Sequence, residues 1–363
     1  MTSFFPSATI TWYMARMFFT RIIAVLLALA LVLQTLDLLG ASGDILAYKG
    51  NGGEQLWYYV SLRLPQIIAF LLPFSVLLAT LITLATMNQN SEVVSMKAGG
   101  LSAHQVLAPL ILSSLIIAAV SFAFSDRIVS RASSTLDRWE KVEYGPLPRD
   151  LAIQTNVWVR DGHNLVHADQ VRGRGRDIVL TGVTVYNREK DTLLEVVKAP
   201  RVAYTGTGWM LRGATRFDVA TGRQSPLPDG EVGKDVRPDQ FTLANVDSEG
   251  LSFLGLRAAI ADLDMAGRPT GSLKADMWHK LSGPLSSVLM PLLGAVAAFG
   301  LARSGQLFVR AVIGMGLGFA FFVADNFGLA MGNLGAYPPW LAAWGPFALF
   351  LLIGETVLIR TEE

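Results

Sequence analysis

Long uncharged stretches and one polar block divide the chain. The uncharged runs are Leu64–Ser91, Gln105–Ser125 and Leu281–Ala302. Each run is close to or longer than the roughly 20 residues that a helix needs to cross hydrocarbon. A fourth apolar segment, Phe18–Leu39, is polar only near its ends, at Arg21, Gln34 and Asp37. Side chains at such positions can reach the interface, so this segment is also predicted to span a membrane.

Two more apolar segments, Ala311–Asn326 and Pro338–Ile359, follow the polar block, and Gly332, Gly335 and Pro339 indicate a turn between them. The sequence therefore predicts a polytopic α-helical membrane protein with six transmembrane helices, three before and three after the block. A cleaved signal peptide is the alternative interpretation of the first segment. Its apolar run is long, however, and no small-residue cleavage site follows it cleanly.

The polar block holds 43 of the 59 charged residues, between Asp126 and Lys280. Short alternating segments separated by Gly, Asp and Asn predict an antiparallel β domain, built as a sandwich or jelly-roll-like sheet. Asp161–Asn164 is a predicted hairpin connection, and Leu251–Met265 is a predicted helix that leads back to the membrane. The predicted strands are Val157–Arg160, Leu165–Ala168, Val179–Leu180, Val183–Tyr186, Leu193–Lys198, Val202–Tyr204, Trp209–Arg212 and Phe217–Val219.

Lysine and arginine are distributed unevenly between the two sides of the predicted spans. One side carries Arg16, Arg21, Lys97, Arg303, Arg310 and Arg360, and the other carries Lys49 and Arg63. The positive-inside rule predicts that the first side and both termini lie in the cytoplasm and the β domain outside it, which in a Gram-negative cell means the periplasm. The predicted domains are residues 1–125 and 277–363 for the two membrane halves and 126–276 for the β domain with its flanking segments.

The composition supports a membrane protein and excludes several chemistries. Hydrophobic residues make up 52% of the chain and charged residues only 16%, where soluble domains carry roughly 25% charge. Thirty basic against 29 acidic residues give no bulk charge for nucleic acid. The chain has no cysteine, which excludes disulfides, thiolate metal sites and a cysteine nucleophile.

No sequence motif indicates catalysis within this chain. A phosphate-binding loop of the Gly-x-x-x-x-Gly-Lys-Ser/Thr type is missing, so another chain must supply any energy from nucleotide hydrolysis. A Gly-x-Ser-x-Gly elbow is missing as well. Of the four histidines, only His163 and His167 are close in sequence, and across a predicted turn they are more typical of surface residues than of metal ligands. We predict no metal site.

The connection between the second and third spans, residues 88–104, has the pattern of a short helix. Val93, Met96 and Val94 recur at helical spacing, and Gly99 and Gly100 can end the helix and turn the chain back. Such a helix fits a groove on a cytoplasmic partner. An interfacial helix lying on lipid headgroups has the same apolar spacing, so both interpretations remain open.

Ionisable residues within membrane spans are candidates for function because they are costly there. Asp37, Asp325 and Glu355 lie near the ends of their spans, and we expect them to reach the interface. A secondary transporter is disfavoured because it would need deeper carboxylates. Small residues on the fifth span allow another helix to approach, either from a second subunit or within the chain: Ala311, Gly314, Gly316, Gly318 and Ala320.

With this organisation, the chain resembles the LptF/LptG (YjgP/YjgQ) family of lipopolysaccharide export permeases, and within it the LptG type. The resemblance covers nearly the whole chain. Besides the order of spans and β domain, it rests on these segments: Ser91-Glu92-Val93-Val94-Ser95-Met96-Lys97-Ala98-Gly99-Gly100, Trp158-Val159-Arg160-Asp161-Gly162, Trp278-His279-Lys280 followed by Pro284-Leu285-Ser286, and Phe319 to Asp325.

The resemblance implies a permease subunit of an ABC exporter in the bacterial inner membrane, without a cofactor of its own. Implied partners are an LptF-type paralogue, a dimeric LptB-type cytoplasmic ATPase that holds ATP and Mg, a single-helix LptC-type protein and a periplasmic bridge protein. The implied substrate is lipopolysaccharide. The alternative is a membrane-anchored periplasmic scaffold or receptor that binds partners without moving lipid.

Candidate site residues follow from this resemblance. The family's coupling helix, which contacts the ATPase, corresponds to Glu92, Val93, Met96, Lys97 and Gly99. A lipid with phosphorylated sugars needs cationic groups above an apolar cavity, and the candidates at the outer surface are Arg63, Arg127, Arg131 and Arg138, with Asp37. A lateral gate with the partner subunit is expected at Leu33, Leu36, Phe319 and Phe322. Unlike family members with lysines at the outer end of the first span, residues 34–41 carry no basic side chain.

Overall fold

The computed structural model describes residues 6–146, 154–161, 164–173, 178–189, 192–206, 208–232, 241, 247–265, 268–299 and 307–360. The chain forms two compact units. The helical unit comprises Met1–Gly145, Ser248–Ile260 and Pro269–Glu363, and the β unit comprises Pro146–Asp247 and Ala261–Arg268. The helical unit thus extends to residue 145, whereas the sequence analysis grouped residues 126–145 with the β domain as a flanking segment.

The first half of the helical unit is built from long helices that continue beyond the predicted spans. They are α1 Ala8–Ala47, α2 Gly53–Gln89, α3 Glu92–Ala98, α4 Ala103–Phe124 and α5 Ser130–Lys141, with a π-helical turn, Ser125–Val129, between α4 and α5. Serine side chains cap two of them: Ser7 accepts from the backbone N–H of Ile10, and Ser102 accepts from that of Gln105. The helices are longer than the apolar runs because hydropathy indicates only the part of a helix that lies in the membrane, whereas the ends of a helix depend on capping.

The second half contains α6 Phe253–Met265, α7 Gly271–Phe299, α8 Leu307–Asn333 and α9 Pro339–Arg360. Five helices in the described residues are long and apolar enough to cross a membrane: α1, α2, α4 with its continuation, α8 and α9. The remaining predicted span, Leu281–Ala302, is helical in α7 up to Phe299, and residues 300–302 lie outside the described residues. The predicted polytopic helical membrane protein with an inserted β domain is confirmed.

One apolar core joins the helices of both halves. Its fully buried side chains come from α1, α2, α4 and α7, and include Phe18, Leu84, Leu107 and Leu289. Glycines allow the closest helix contacts, because a Cβ at Gly318 would overlap with Leu77, and one at Gly332 would overlap with the Cβ of Ala342. Gly318 therefore serves packing within this chain, while Gly316, on the same helix, has open space around its Cα.

The β unit is one antiparallel sheet. Among the described residues its strands are β1 Gln154–Asp161, β2 Asn164–Arg172, β3 Val179–Glu189, β4 Thr192–Tyr204, β5 Trp209–Arg212, β6 Thr215–Asp218, β7 Gln224–Pro226 and β8 Gly230–Val232. The order is β1-β2-β3-β4-β5-β8, and β6 pairs with β4 and β7. The predicted antiparallel β domain is confirmed, as is the hairpin, in which Asp161 pairs with Asn164.

The strands β3 and β4 correct two sequence predictions. Val179–Leu180 and Val183–Tyr186 were expected as separate strands, but both belong to β3, which continues through Gly182. Leu193–Lys198 and Val202–Tyr204 were expected as separate strands, but both belong to β4, which continues through Pro200. Pro200 is tolerated because the facing residue, Gly182, has a left-handed φ of 64° and interrupts the regular ladder between Thr181↔Arg201 and Val183↔Ala199. One half of β4 pairs with β6 and the other with β5, so this strand supports both branches of the sheet.

We predict that Gly332→Ala destabilises the helical unit. The added methyl group would overlap with the Cβ of Ala342, which cannot move without its helix, so α8 and α9 must separate. Overpacking of this kind costs about 1–3 kcal/mol. A lower thermal unfolding temperature of the purified protein measures this loss. Gly316→Ala is the matched control on the same helix, and an equal loss in both variants would contradict the explanation.

Candidate functional site

The connection between α2 and α4 is held in a defined conformation. Ser91 has a left-handed φ of 57° and precedes α3, and Gly100, with a φ of 85°, follows it. The backbone N–H of Leu101 donates to the carbonyl of Met96, which closes the end of α3. The predicted helix ended by Gly99 and Gly100 is therefore confirmed.

The side chains of α3 divide into an anchored side and an exposed side. Val93 is only 3% exposed and belongs to the main helical core, and Met96 packs against the same core. Val94 is 64% exposed, and Lys97 and Gly99 are exposed as well. Of the predicted coupling residues, Val93 and Met96 thus anchor α3 to this chain, whereas Lys97 and Gly99 lie on its exposed side together with Val94, which was not among them.

Glu92 lies at the start of α3 and links it to α1. The hydroxyl of Tyr13 donates to Glu92 Oε1 over 3.3 Å, and Asn90 Nδ2 donates to the same oxygen over 3.2 Å. The carboxylate also stands in the first turn of the helix, where negative charge is favoured. A cavity of about 290 Å³ opens beside it, lined by Ile10, Tyr13, Met87, Asn90, Glu92, Ser95 and Met96.

At the opposite end of α1 and α2, Asp37 and Arg63 bind each other. Arg63 Nη2 lies 3.1 Å from Asp37 Oδ1, Arg63 Nε donates to both carboxylate oxygens, and the Tyr59 hydroxyl donates to Asp37 Oδ2 over 2.7 Å. Two donors from the planar guanidinium fit a carboxylate well. These two predicted substrate residues therefore neutralise each other.

Aromatic rings surround this pair on the side of α5. The Trp139 ring lies 5.1 Å from both the Tyr58 and the Tyr144 rings, edge to face. Burial raises the pKa of the Tyr144 phenol above its ordinary value. Asn51, in the turn between α1 and α2, donates to the carbonyl of Tyr144 over 3.0 Å, so the exit of α5 is fixed to this turn. The Tyr144 ring also lies 6.4 Å from the ring of Tyr59, whose hydroxyl binds Asp37, so the residues that follow α5 pack next to the Asp37–Arg63 pair.

The other predicted cationic residues form a row along the π-helical turn and α5. Arg127, Arg131 and Arg138 are all exposed, and their spacing of 4 and 7 residues puts them on one face. Arg138 Nε donates to the carbonyl of Ser134 over 2.8 Å. The neighbouring acid, Asp137, pairs with Lys141 over 2.6 Å and not with Arg138. We call Arg127, Arg131 and Arg138 the arginine row; its geometry suits contact with several anionic groups on one ligand.

The predicted gate residues divide between exposed and packed positions. Leu36 on α1 is 61% exposed and Phe319 on α8 is 62% exposed. Leu33 packs against the small core between α1 and α2, and the Phe322 ring contacts those of Phe70 and Phe74, with centroids 5.6 and 5.2 Å away. Only Leu36 and Phe319 are thus free to meet a neighbouring membrane helix.

The carboxylates expected at the interface are bound to other helices. Asp325 Oδ2 on α8 lies 2.9 Å from His279 Nε2 on α7, and Glu355 Oε2 on α9 lies 3.2 Å from His104 Nε2 on α4. Together with Asp37, all three carboxylates thus bind a side chain of a neighbouring helix. Sequence reasoning missed these pairs because the partners lie 46 and 251 residues apart.

In the part of the chain that the structure describes, no group of three His, Asp or Glu side chains is placed to hold a metal ion. His167 Nδ1 lies 3.7 Å from Asp169 Oδ1 and its ring contacts that of Trp158. The second histidine of the sequence pair, His163, lies outside the described residues.

We predict that the His279–Asp325 pair stabilises the contact between α7 and α8. In a double-mutant cycle with His279→Ala and Asp325→Ala, the coupling free energy should be about 1 kcal/mol, the magnitude of polar pairs between membrane helices. Unfolding by denaturing detergent measures it. Asn326→Ala is the control, because Asn326 Nδ2 donates within its own helix, to the carbonyl of Phe322. A coupling energy of zero would contradict the assigned role.

Comparison with known proteins assigns the chain to a family. The model of the lipopolysaccharide export system permease LptF/LptG family matches residues 12–360. The lipopolysaccharide export system permease protein LptG of Escherichia coli K12 is 26% identical over 365 residues, which cover 98% of this chain and 99% of that protein. The LptG of Haemophilus influenzae is 24% identical over 331 residues, covering 86% of this chain and 89% of that protein. The chain belongs to the LptF/LptG family of lipopolysaccharide export system permeases.

Proposed function

We propose that this chain is the LptG-type transmembrane subunit of an ABC transporter that extracts lipopolysaccharide from the inner membrane and passes it to a periplasmic bridge towards the outer membrane. ATP hydrolysis on a separate LptB-type subunit, which holds ATP and Mg, drives the movement. The observation that carries the proposal is α3: a short helix, fixed to the membrane core by Val93, that exposes Val94, Lys97 and Gly99 between two spans.

Rigid attachment is what a coupling helix needs. A force applied by an ATPase to the exposed side of α3 is transmitted to the membrane helices only if the helix does not yield. Val93 and Met96 pack α3 onto the core, and Glu92 receives the hydroxyl of Tyr13 from α1. Movement of α3 would therefore be passed directly to α1, the helix that we assign to the lateral gate.

Glu92→Arg should reduce assembly with the ATPase or uncouple its hydrolysis from transport. The substitution reverses the charge beside Tyr13 and places a cation at a helix N-terminus, where it is unfavourable. Co-purification and the ATPase rate of reconstituted complexes measure the effect. Glu54→Arg, at the first turn of α2, is the control for charge reversal at an exposed helix start. Unchanged assembly and unchanged transport in Glu92→Arg would remove the coupling role.

The arginine row is the cationic surface that we assign to the substrate. Since Asp37 neutralises Arg63, the positive charge that binds phosphorylated sugars must come from Arg127, Arg131 and Arg138. Exposed apolar side chains on α1 and α8 could accompany the acyl chains. Arg63 and Asp37 then act as a structural pair that holds α1 against α2.

For the gate we propose that Leu36 and Phe319 contact the LptF-type paralogue, and that an LptC-type single helix can enter at the same place. Both side chains are exposed on apolar helices. On α8, Gly316 also has open space around its Cα and would let a partner helix approach closely. In this orientation the termini lie in the cytoplasm and the β domain in the periplasm, as the positive-inside rule predicts.

A crosslink across the gate separates the transporter from the alternative, a scaffold that does not move lipid. The chain has no cysteine, so Phe319→Cys introduces a single thiol. Crosslinking it to a cysteine in the paralogous subunit should abolish lipopolysaccharide release and leave assembly intact. Val120→Cys, on the exposed face of α4, is the control. Full activity of the crosslinked complex would favour the scaffold.

A further inference from the structure

One face of the β sheet carries aromatic and polar side chains that the core does not use. The opposite face holds the buried residues, among them Val166, Val183 and Val197. On the exposed face, the strand register aligns Trp158 with His167, Thr184, Lys198 and Thr215 in one row. The adjacent row aligns Leu165, Tyr186, Val196, Phe217 and Gln224. The sheet thereby brings together residues from six strands, β1 to β4, β6 and β7.

Three aromatic rings lie in these rows on alternate strands of the sheet, β1, β3 and β6. The Trp158 and Tyr186 rings are nearly parallel, with an interplanar angle of 18° and centroids 5.9 Å apart. Trp158 is 48% exposed, and Phe217 is exposed as well. His167 contacts the Trp158 ring with a centroid distance of 4.5 Å and helps to fix it. We call Trp158, Tyr186, Phe217 and Lys198 the aromatic band.

The band ends in a cavity of about 350 Å³, lined by Tyr186, Val196, Lys198, Thr215, Phe217 and Gln224. Lys198 is exposed at its wall. The nearby acid, Glu195, is already bound, because Asn187 Nδ2 donates to it over 2.6 Å and Arg216 Nε lies 3.5 Å away. The cavity therefore combines ring surfaces, a hydroxyl, an amide and a positive charge.

We propose that the aromatic band is a binding site for an acidic saccharide, that is, a sugar carrying phosphate or carboxylate groups. The C–H faces of sugar rings stack on exposed aromatic rings, hydroxyls need donors and acceptors such as Thr215 and Gln224, and the acidic group complements Lys198. A purely apolar ligand would leave these polar groups unpaired. The proposal rests on the proposed function only for the source of the ligand, the saccharide portion of lipopolysaccharide.

The test uses the full-length chain in lipid nanodiscs, without the ATPase. The probes are a lipid-free, phosphorylated core oligosaccharide prepared from lipopolysaccharide by deacylation, the neutral sugar maltoheptaose and inorganic phosphate. Microscale thermophoresis gives the Kd. The phosphorylated oligosaccharide should bind more tightly than maltoheptaose, and Trp158→Ala and Lys198→Gln should each weaken it about tenfold, as expected for the loss of an aromatic or charged contact.

Arg201→Gln is the matched control, because Arg201 is an exposed cation three positions further along β4. Its Kd should equal that of the unaltered chain. Thermal unfolding shows whether Trp158→Ala still folds, and Lys198→Gln, at an exposed position, provides an independent reading. If both variants bind as the unaltered chain does, the site is elsewhere. If inorganic phosphate displaces the oligosaccharide at equal concentration, the band is an anion site and the saccharide proposal is wrong.

The alternative role of the aromatic band is contact with a membrane surface, and the same variants test it. For such a surface, the solubilised chain would bind phosphatidylglycerol vesicles but no oligosaccharide, and Trp158→Ala would abolish the vesicle binding. This result would overturn the proposal. Because no ATPase is present, these results are independent of the proposed transport function. Failure to assemble with an ATPase would leave the saccharide site untouched, and loss of saccharide binding would leave the transporter standing.

Discussion

Charged side chains among apolar helices must find partners there, because hydrocarbon offers none. Three acidic side chains of the described helices meet this requirement through pairs that join different helices: Asp37 with Arg63 and Tyr59, Asp325 with His279, and Glu355 with His104. The first joins α1 to α2, the second α7 to α8, and the third connects α4 of the first half with α9 of the second. The two halves of the membrane unit are thereby held by polar bonds as well as by the shared apolar core.

The pairing of charged residues inside the helical unit determines which residues can contact a substrate or a partner. Arg63 and Asp37 satisfy each other, so we assign the proposed cationic surface to the arginine row, and α3 is anchored by Val93 and exposes Val94 and Lys97. Glycines divide in the same way. Gly318 and Gly332 are taken up by contacts within the chain, whereas Gly316 is open. Residues of one type therefore separate into structural and available members only when their neighbours are known.

The sequence was sufficient for features that depend on neighbours along the chain. Apolar runs of about 20 residues predicted the spans, Gly99 and Gly100 predicted the end of α3, and Asp161–Asn164 predicted the hairpin. The sequence did not predict features that depend on contacts between residues far apart along the chain. His279 and Asp325 are 46 residues apart, and nothing local indicates their bond. Leu193–Lys198 and Val202–Tyr204 were predicted as separate strands, because the continuity of β4 through Pro200 depends on Gly182 of the neighbouring strand.

One further polar bond joins the π-helical turn of the first half to α6. The π-helical turn holds Asp126, and its carboxylate accepts the backbone N–H of Phe253, the first residue of α6. The acid of the outgoing helix thus caps the N-terminus of the returning helix, where negative charge is favoured, and the Phe122 and Phe253 rings pack beside it, 6.3 Å apart. Both residues belong to the helical unit. The bond adds to the ion pairs a contact between residues that lie 127 positions apart, which the neighbours of either residue along the chain do not indicate.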